Sequence, residues 1–307
     1  MNDPSPSAAA SLVDRAISPS RELGAYEALW SREGTWFKSL AEMFRNHPGS
    51  LPSDFVPEAE GANHARLALG AIHAAGIRHF GVRVHGDGQY PTRLRDATHP
   101  VELLYFQGRW DLVYTPCIAI VGTRNPTDAG RRRAARLARL CVADGYTVVS
   151  GLARGIDTVA HTTAMAEHGF TIAVLGTPIT QCYPPENREL QTAMADRHLV
   201  ISQVPIVRYG RQHLRTRPRF FPERNATISG LTEATIIVEA GETSGTLIQA
   251  RHALKQGRLL FILASCFQVP SLTWPAKLAA LGAIRVSDYD EIRKRLAALH
   301  SRQAAAD

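Results

Sequence analysis

The chain has 307 residues, of which 45% are hydrophobic and 21% are charged, and its formal net charge at pH 7 is +7. This composition is typical of a globular protein with one large or two modest domains, and it excludes a disordered or fibrous chain. The positive charge favours a polyanionic partner. Because no apolar run approaches the length of a membrane span and the N-terminus lacks a signal-peptide pattern, we expect no membrane partner.

The cysteines are few and far apart. The chain has four, and none forms a Cys-x-x-Cys pair, so the spacing argues against a zinc site. Cys117 and Cys141 lie in apolar segments and are expected to be buried thiols, which fits a reducing compartment and predicts a cytoplasmic protein. We predict neither a metal nor a cofactor.

The first 75 residues differ in pattern from the rest of the chain. Residues 1–20 are rich in Ser, Pro and Ala, a composition typical of a disordered tail. Apolar residues then recur with helical spacing between Glu22 and Arg45, and again between Ala62 and Ala75. We therefore predict a small helical region over residues 21–75, to which the sequence assigns no function.

Strands and helices alternate over residues 76–300. The clearest unit begins with the strand-like apolar run Cys117–Val121, continues with a helical pattern over Ala129–Ala143, and ends in a strand at Val148-Val149. The right-handed crossover of such a unit places both strands in one parallel sheet. The repeated alternation predicts an α/β fold of three layers with a mostly parallel sheet.

Polar and glycine residues follow the first of these strands, at Gly122-Thr123-Arg124. Ligands of open parallel sheets bind beyond the carboxyl ends of the strands. Free backbone N–H groups, a hydroxyl and a guanidinium suit a phosphate there. The alternative interpretation is a tight turn with a surface arginine.

A second glycine-containing loop, Ser150–Asp157, follows the next strand. Gly151 and Gly155 either allow a ligand to approach the backbone or allow close packing of helix on sheet. We expect Asp157 to cap the following helix. His161 lies one turn later, and we expect a structural hydrogen bond between the two rather than a catalytic pair.

An arginine-dense stretch spans residues 207–225 and is predicted to be a loop, with a helix opening near Thr227. Cations follow a phosphate backbone and aromatic rings stack on unpaired bases, so the mixture predicts contact with a single strand. The alternative is a solvated basic loop. We expect Phe221 to be in the core, whereas the pattern leaves Phe220 open. The arginines are Arg208, Arg211, Arg215, Arg217, Arg219 and Arg224.

Two further groups of polar residues lie at the start of one predicted helix and along another. Ser244-Gly245-Thr246 follow another strand and precede a helix, where they and Glu239 either complete a pocket wall or cap the helix. Arginines at 131, 132, 133, 136 and 139 lie on one helix, and we interpret them as a solvated outer face.

In this order, the motifs resemble those of the DNA-processing protein A family, also called DprA or Smf. The resemblance covers roughly residues 77–295 and consists of short segments that are specific as an ordered set. They are Tyr90-Pro91-Thr92-Arg93-Leu94, Gly122-Thr123-Arg124, Ser150–Asp157, Ala160-His161, Ala173–Gly176, Tyr183-Pro184, Phe221-Pro222-Glu223-Arg224-Asn225, Ser229-Gly230-Leu231, Glu239-Ala240, Ser244-Gly245-Thr246-Leu247 and Gly257-Arg258.

The resemblance implies an extended Rossmann-like domain that binds single-stranded DNA. It further implies a homodimer without enzymatic activity, which protects incoming DNA in transformation and loads a RecA-type recombinase on it. We assign no catalytic residue. The residues that we assign to nucleic-acid or phosphate binding are Gly122, Thr123, Arg124, Ser150, Gly151, Arg154, Gly155, Arg217, Arg219, Phe220, Arg224, Asn225, Ser244, Gly245 and Thr246.

The sequence departs from the family pattern at several points. Gln203 stands where the family commonly has Glu, and Ala264-Ser265-Cys266 replaces a usual Pro-Gly. We expect no C-terminal winged-helix module. Two alternatives stay open: a small-nucleotide sensor, and a nucleotide phosphoribohydrolase of the wider superfamily. The hydrolases use a Pro-Gly-Gly-x-Gly-Thr segment with a nearby Glu, of which Glu242–Thr246 is an incomplete version.

Overall fold

The computed structural model describes residues 17–95, 100–213 and 215–304. The strands in these residues are β1 (Gly81–Val84), β2 (Leu103–Gly108), β3 (Cys117–Val121), β4 (Thr147–Ser150), β5 (Thr171–Leu175), β6 (Leu199–Ser202), β7 (Ala234–Ile237), β8 (Leu259–Leu263) and β9 (Ile284–Val286).

The helices are α1 (Pro19–Ser31), α2 (Phe37–Arg45), α3 (Glu58–Ala74), α4 (Thr92–Arg95), α5 (Asp128–Ala143), α6 (Ile156–Ala166), α7 (Arg188–Arg197), α8 (Ile206–Arg211), α9 (Phe220–Leu231), α10 (Thr246–Lys255), α11 (Trp274–Ala280) and α12 (Tyr289–Ala304). Among the helices in the described part of the chain, none combines the length and the apolar character that crossing a bilayer requires.

All described strands form one sheet in the order β1-β2-β6-β5-β4-β3-β7-β8-β9. The pairs from β6 to β9 are parallel, whereas β1 and β2 are added antiparallel at one end. The chain winds outward from β3 through β4, β5 and β6, and then returns to place β7 on the other side of β3. The carboxyl ends of β3 and β7 therefore form the topological switch point, where ligands of open α/β sheets bind.

Helices cover both faces of this sheet, as alternation along the central strand shows. Ile118 and Ile120 of β3 pack with the apolar sides of α5, α6 and α12. Ala119 and Val121 point to the opposite face, which α9, α10 and the N-terminal helices cover. The predicted three-layer α/β fold with a mostly parallel sheet is confirmed.

The N-terminal helices (α1–α3) share this second core through a buried carboxylate. Glu27 of α1 accepts hydrogen bonds from the Tyr105 hydroxyl (2.5 Å) and from the backbone N–H groups of Ile206 (2.6 Å) and Val207 (3.0 Å). Burial raises the pKa of Glu27. The carboxylate thus joins α1 to the sheet and to the first turn of α8.

Two segment predictions differ from the structure. Most of the stretch predicted as an arginine-dense loop is helical: α8 occupies its start and α9 begins at Phe220, seven residues before the predicted helix. One of the two prolines of this segment, Pro222, lies in the first turn of α9, where its missing N–H costs no helical hydrogen bond. Residues 1–16 of the predicted tail lie outside the described residues, and α1 already begins at Pro19.

Candidate nucleic-acid interface

A cleft of about 500 Å³ opens at the switch point between β3 and β7. Hydrogen bonds join its two sides, because the Thr123 N–H donates to the Glu239 carbonyl (2.7 Å) and the Thr246 hydroxyl donates to the Gly122 carbonyl (3.1 Å). The loop after β3 and the N-terminus of α10 therefore lie side by side at the mouth of the cleft.

The loop after β4 supports the loop after β3 from below. Gly155 has φ +80°, and the backbone of Thr123 and Arg124 lies so close that a side chain there would collide with it. The Ile156 N–H donates to the Thr123 carbonyl (3.2 Å). Gly155, assigned to ligand binding from the sequence, thus serves contact between two backbone segments.

Asp157 and His161 have other partners than those expected. The Asp157 carboxylate accepts from the N–H groups of Gly151 (3.1 Å) and Ala153 (3.2 Å), so it stabilises the loop before its own helix and does not cap α6. Burial raises its pKa. His161 Nδ1 bonds to the Thr171 hydroxyl (2.7 Å), so the predicted bond between Asp157 and His161 is wrong.

Arg224 forms the deepest part of the cleft. Its Nη1 donates to the carbonyls of Gly151 (2.5 Å) and Val174 (2.7 Å), and its Nε donates to the Asn225 side-chain oxygen (3.1 Å). Gly151 lacks a Cβ where the guanidinium lies against it. Burial lowers the pKa of Arg224 to about 10, so the guanidinium is still protonated at neutral pH.

Phe221 lies close to two guanidiniums at the mouth of the cleft. The carbon of the Arg124 guanidinium is 5.9 Å from the ring centre and that of Arg224 is 5.8 Å from it. The ring is half-buried and meets Tyr183 edge-on at 5.5 Å. A half-exposed aromatic ring with two cations beside it is suited to a flat, negatively charged ligand.

Phe220, by contrast, is fully buried. Its ring lies among the rings of Trp30, Trp36, Phe37 and Tyr209. The expectation that Phe221 belongs to the core is therefore wrong. Phe220, which we assigned to binding, is the core residue, and its ring is not available to a base. Phe221 takes that place at the surface.

A second cleft of about 540 Å³ adjoins the first and shares Arg124, Phe221, Asn225 and Gly245 with it. Its outer part is lined by Tyr183, which is 46% exposed, and by Arg217, whose guanidinium lies over the Tyr209 ring at 4.8 Å. Aromatic and cationic groups thus continue along one path. We call Asp157 and Arg224 the floor, and Arg124, Tyr183, Arg217 and Phe221 the rim.

A family model for DNA recombination-mediator protein A matches residues 81–297. The chain belongs to this family.

Curated relatives match this DprA-family chain at moderate identity. It is 37% identical over 229 residues to Protein Smf of Synechocystis, and 36% identical over 211 residues to DNA processing protein DprA of Bacillus subtilis. Each alignment covers 68% of this chain. The chain spans 56% of the length of the Synechocystis protein and 68% of the length of the Bacillus one.

Solved structures agree with this assignment. DprA of Streptococcus pneumoniae superposes with a TM-score of 0.71 at 27% identity, covering 91% of this chain and 98% of that one. DprA of Helicobacter pylori, described for its single-stranded DNA binding mode, superposes with a TM-score of 0.60 at 25% identity. That match covers 71% of this chain and 95% of the other.

The sequence-assigned residues of the DprA-family chain divide into two sets. Ser150 is buried and donates to the Ile120 carbonyl (2.7 Å), Arg154 is exposed and pairs with Glu186 at 3.5 Å, and Arg219 is exposed outside both clefts. Those that line a cleft are Gly122, Thr123, Arg124, Arg217, Arg224, Asn225, Ser244, Gly245 and Thr246.

Sequence reasoning missed the aromatic part of the rim and one buried amide. Tyr183 was read only as part of a family motif, and Phe221 was assigned to the core. Gln249 lines the first cleft at 2% exposure, and its buried Nε2 has no hydrogen-bond partner among the described residues. Its position three residues after Thr246, on the same side of α10, is the signal that could have found it.

Two carboxylates near the clefts serve helix ends. Glu239 accepts from the Thr127 N–H (3.1 Å) and hydroxyl (2.8 Å), so it holds the residue that caps the start of α5. Glu242 accepts from the N–H of Thr273 (2.8 Å) and from its hydroxyl, next to the start of α11. These bonds lower the pKa of Glu242. Each carboxylate is held by a threonine.

Proposed function

We propose that this DprA-family chain binds single-stranded DNA along the two joined clefts. The observation that carries the proposal is the position of Phe221, a half-buried ring with two guanidiniums within 6 Å of its centre at the switch point. Relatives named for DNA processing, and the Helicobacter pylori homologue described for its single-stranded DNA binding mode, support the choice of ligand.

Phosphates are proposed to bind at the inner cleft. Arg124 is exposed there and can donate two parallel hydrogen bonds to one phosphate. The N-terminus of α10, at Thr246, adds the positive end of a helix dipole. Gln249, which lines the same cleft, adds a buried Nε2 donor that has no hydrogen-bond partner among the described residues. Together they favour an anion without any metal.

Bases are proposed to stack along the rim. Phe221 and Tyr183 offer ring faces or edges that are partly open to solvent, and every base has a flat face that can use them. None of these contacts reads the edge of a base pair, so we expect little sequence preference. Duplex DNA keeps its bases stacked inside the helix and should bind less tightly.

The finer parts of the proposal rest on family resemblance. We propose that the chain acts as a homodimer in the cytoplasm, protects single strands, and passes them to a RecA-type recombinase. Three of the four cysteines are buried and all four are free thiols, which is compatible with a reducing compartment.

The positions of the carboxylates support a binding protein rather than a phosphoribohydrolase. A hydrolase of the wider superfamily would need a carboxylate free to face the ligand beside Ser244–Thr246. Glu239 and Glu242 are instead held at the helix ends of α5 and α11. The continuation of the cleft past Phe221 favours a polymer over the mononucleotide that a sensor would bind.

The test is a binding comparison by fluorescence anisotropy at fixed salt. A labelled oligo-dT is titrated with the protein and then competed with duplex DNA of equal length and with a panel of mononucleotides. We expect single strands to bind tightest, with an affinity that falls as salt rises because counterions are released. Equal binding of duplex, or complete displacement by a mononucleotide at equal concentration, would contradict the proposal.

A further inference from the structure

A third cleft, of about 360 Å³, lies outside the site described so far. It adjoins the second cleft at Gln181 and Cys182, which line both. From this loop it runs between α7 and the segment Ala75–His79, which follows α3. A strand that leaves the rim past Tyr183 would meet the opening of this cleft at the next step.

One face of α7 forms its long wall. The lining residues of this helix are spaced i, i+3, i+4, i+7 and i+8, the spacing of a single helical face. Arg188 stands at the end nearest the rim and Asp196 at the far end. Asp196 already pairs with Arg197 at 3.3 Å, so the far end is weakly acidic and the near end is basic.

Gln191, in the middle of this face, carries an unused acceptor. Its side chain is 8% exposed, and its buried Oε1 has no hydrogen-bond partner within the described residues. An unpaired buried acceptor is costly, and a phosphate cannot satisfy it because an ionised phosphate diester has no N–H or O–H to donate. Every nucleobase has at least one N–H group. A base can therefore donate a hydrogen bond to the Gln191 Oε1, whereas a phosphate cannot.

Cations at the same cleft fit the phosphates on either side of such a base. Arg78 and Arg188 are exposed, and neither makes an ion pair with another residue of the described ranges. His79 lies beside Arg78 on the same lining. An exposed guanidinium can bind a phosphate at a small desolvation cost, because the protein does not bury it before the ligand arrives.

We infer that the third cleft is an additional single-stranded DNA subsite, in which Gln191 accepts a hydrogen bond from one base while Arg188 and Arg78 bind neighbouring phosphates. The inference rests on the proposed function, because it extends the same bound strand beyond Tyr183. It predicts a binding site longer than the two joined clefts, and it adds a hydrogen bond to a base, whereas Phe221 and Tyr183 only stack on bases.

The experiment compares two lengths of labelled oligo-dT, about 6 and about 16 nucleotides, which span the site sizes of single-strand-binding folds. Binding is measured by fluorescence anisotropy as a function of salt. The variants are Arg78→Ala with Arg188→Ala, Gln191→Leu, and the matched control Arg132→Ala on the outer face of α5. An oligomer of about 16 nucleotides with abasic positions at one end probes the base contact.

For the wild type, we expect the long oligomer to bind about tenfold more tightly than the short one. The double arginine variant should remove that difference and lower the salt slope for the long oligomer by about 1.4, or 0.7 for each lost phosphate contact. Gln191→Leu should lower the affinity for the oligomer that has all its bases, but not for the oligomer with abasic positions. The short oligomer should bind all variants as it binds the wild type.

The outcomes separate this inference from the proposed function. If the wild type binds both lengths with one affinity, or the variants bind the long oligomer as the wild type does, the third subsite is refuted while the proposed function stands. If the wild type binds neither oligomer, both fail. A loss that Arg132→Ala reproduces would mean a general charge effect and would also refute the subsite.

Discussion

The floor and the rim of the cleft contain the same residue type in opposite circumstances. Arg224 on the floor is 6% exposed and donates three hydrogen bonds within the protein, to Gly151, Val174 and Asn225. Arg124 on the rim is exposed, and its guanidinium carbon is 5.9 Å from the centre of the same Phe221 ring that Arg224 approaches to 5.8 Å. The first guanidinium shapes the site and the second is available to a ligand.

This difference shows why a basic motif should not be read as a set of equivalent contacts. A buried arginine bonded to carbonyls gains little from a ligand, because its hydrogen bonds to the protein already replace those to water. An exposed arginine exchanges water for a phosphate when the ligand binds. We therefore expect floor substitutions to lower stability and rim substitutions to lower affinity.

The largest effect is expected for Arg224→Ala. Removal of the guanidinium leaves the Gly151 and Val174 carbonyls without their charged donor, and it takes a compensating charge away from buried Asp157. The free energy of unfolding in urea should fall by about 3 kcal/mol. Arg224→Lys should recover only part of it, because an ammonium lacks the planar fork. A variant as stable as the wild type would place Arg224 with the rim.

Arg124→Ala should do the reverse. Loss of a charge-assisted bond to phosphate should weaken oligo-dT binding about tenfold to hundredfold, while the free energy of unfolding changes by less than about 0.5 kcal/mol. Fluorescence anisotropy and thermal melts measure the two quantities. Arg132→Ala on α5 is the matched control, since it removes an exposed arginine that lines neither cleft. Unchanged binding of Arg124→Ala would remove Arg124 from the proposed site.

The region below the floor should also be sensitive to acid. The Thr171 hydroxyl donates to the Val148 carbonyl (2.7 Å), so it accepts from His161 Nδ1–H, and the buried His161 Nε2 has no partner among the described residues. Burial lowers the pKa of His161 to about 3.

Because the pKa of an unfolded histidine is about 6.5, acid protonates the unfolded chain first, and stability falls as the pH drops from 6.5 towards 3. Between pH 6.5 and pH 5 the loss should be about 2 kcal/mol. Urea denaturation at both pH values measures it, and His161→Leu should abolish this part of the slope. A His161→Leu variant with the wild-type pH dependence would show that another group is responsible.

The smallest effect is expected for Tyr183→Ala at the outer rim. The ring is 46% exposed, so one stacked base should contribute at the low end of such contacts, about 1 kcal/mol or a fivefold change in affinity. Tyr183→Phe keeps the ring and should bind like the wild type. Equal losses for both variants would assign the effect to the hydroxyl instead of the ring.

The sequence predicted the fold and the inner cleft because both depend on local patterns. The apolar run of β3 and the glycine after it place Arg124 at a strand end without any knowledge of the rest of the chain. The order of short motifs identified the family, and with it the extended Rossmann-like arrangement.

The division into floor and rim could not be predicted, because it depends on contacts between distant segments. The carbonyls that hold Arg224 come from the loop after β4 and from β5. Phe220 and Phe221 exchanged roles because successive helical residues point about 100° apart, and the side that faces the core depends on where α9 begins. A stretch read as a loop gives no helical phase.

The buried Glu27 has a consequence for hybrids between members of the family. It holds the first turn of α8, while Trp36 of the N-terminal helices donates to Glu223 of α9 at 3.2 Å. The N-terminal helices therefore position α8 and the first turn of α9, which lead to the rim. A chimaera that exchanges the N-terminal helices without α8 and α9 would lose these hydrogen bonds, so the two parts should be exchanged together.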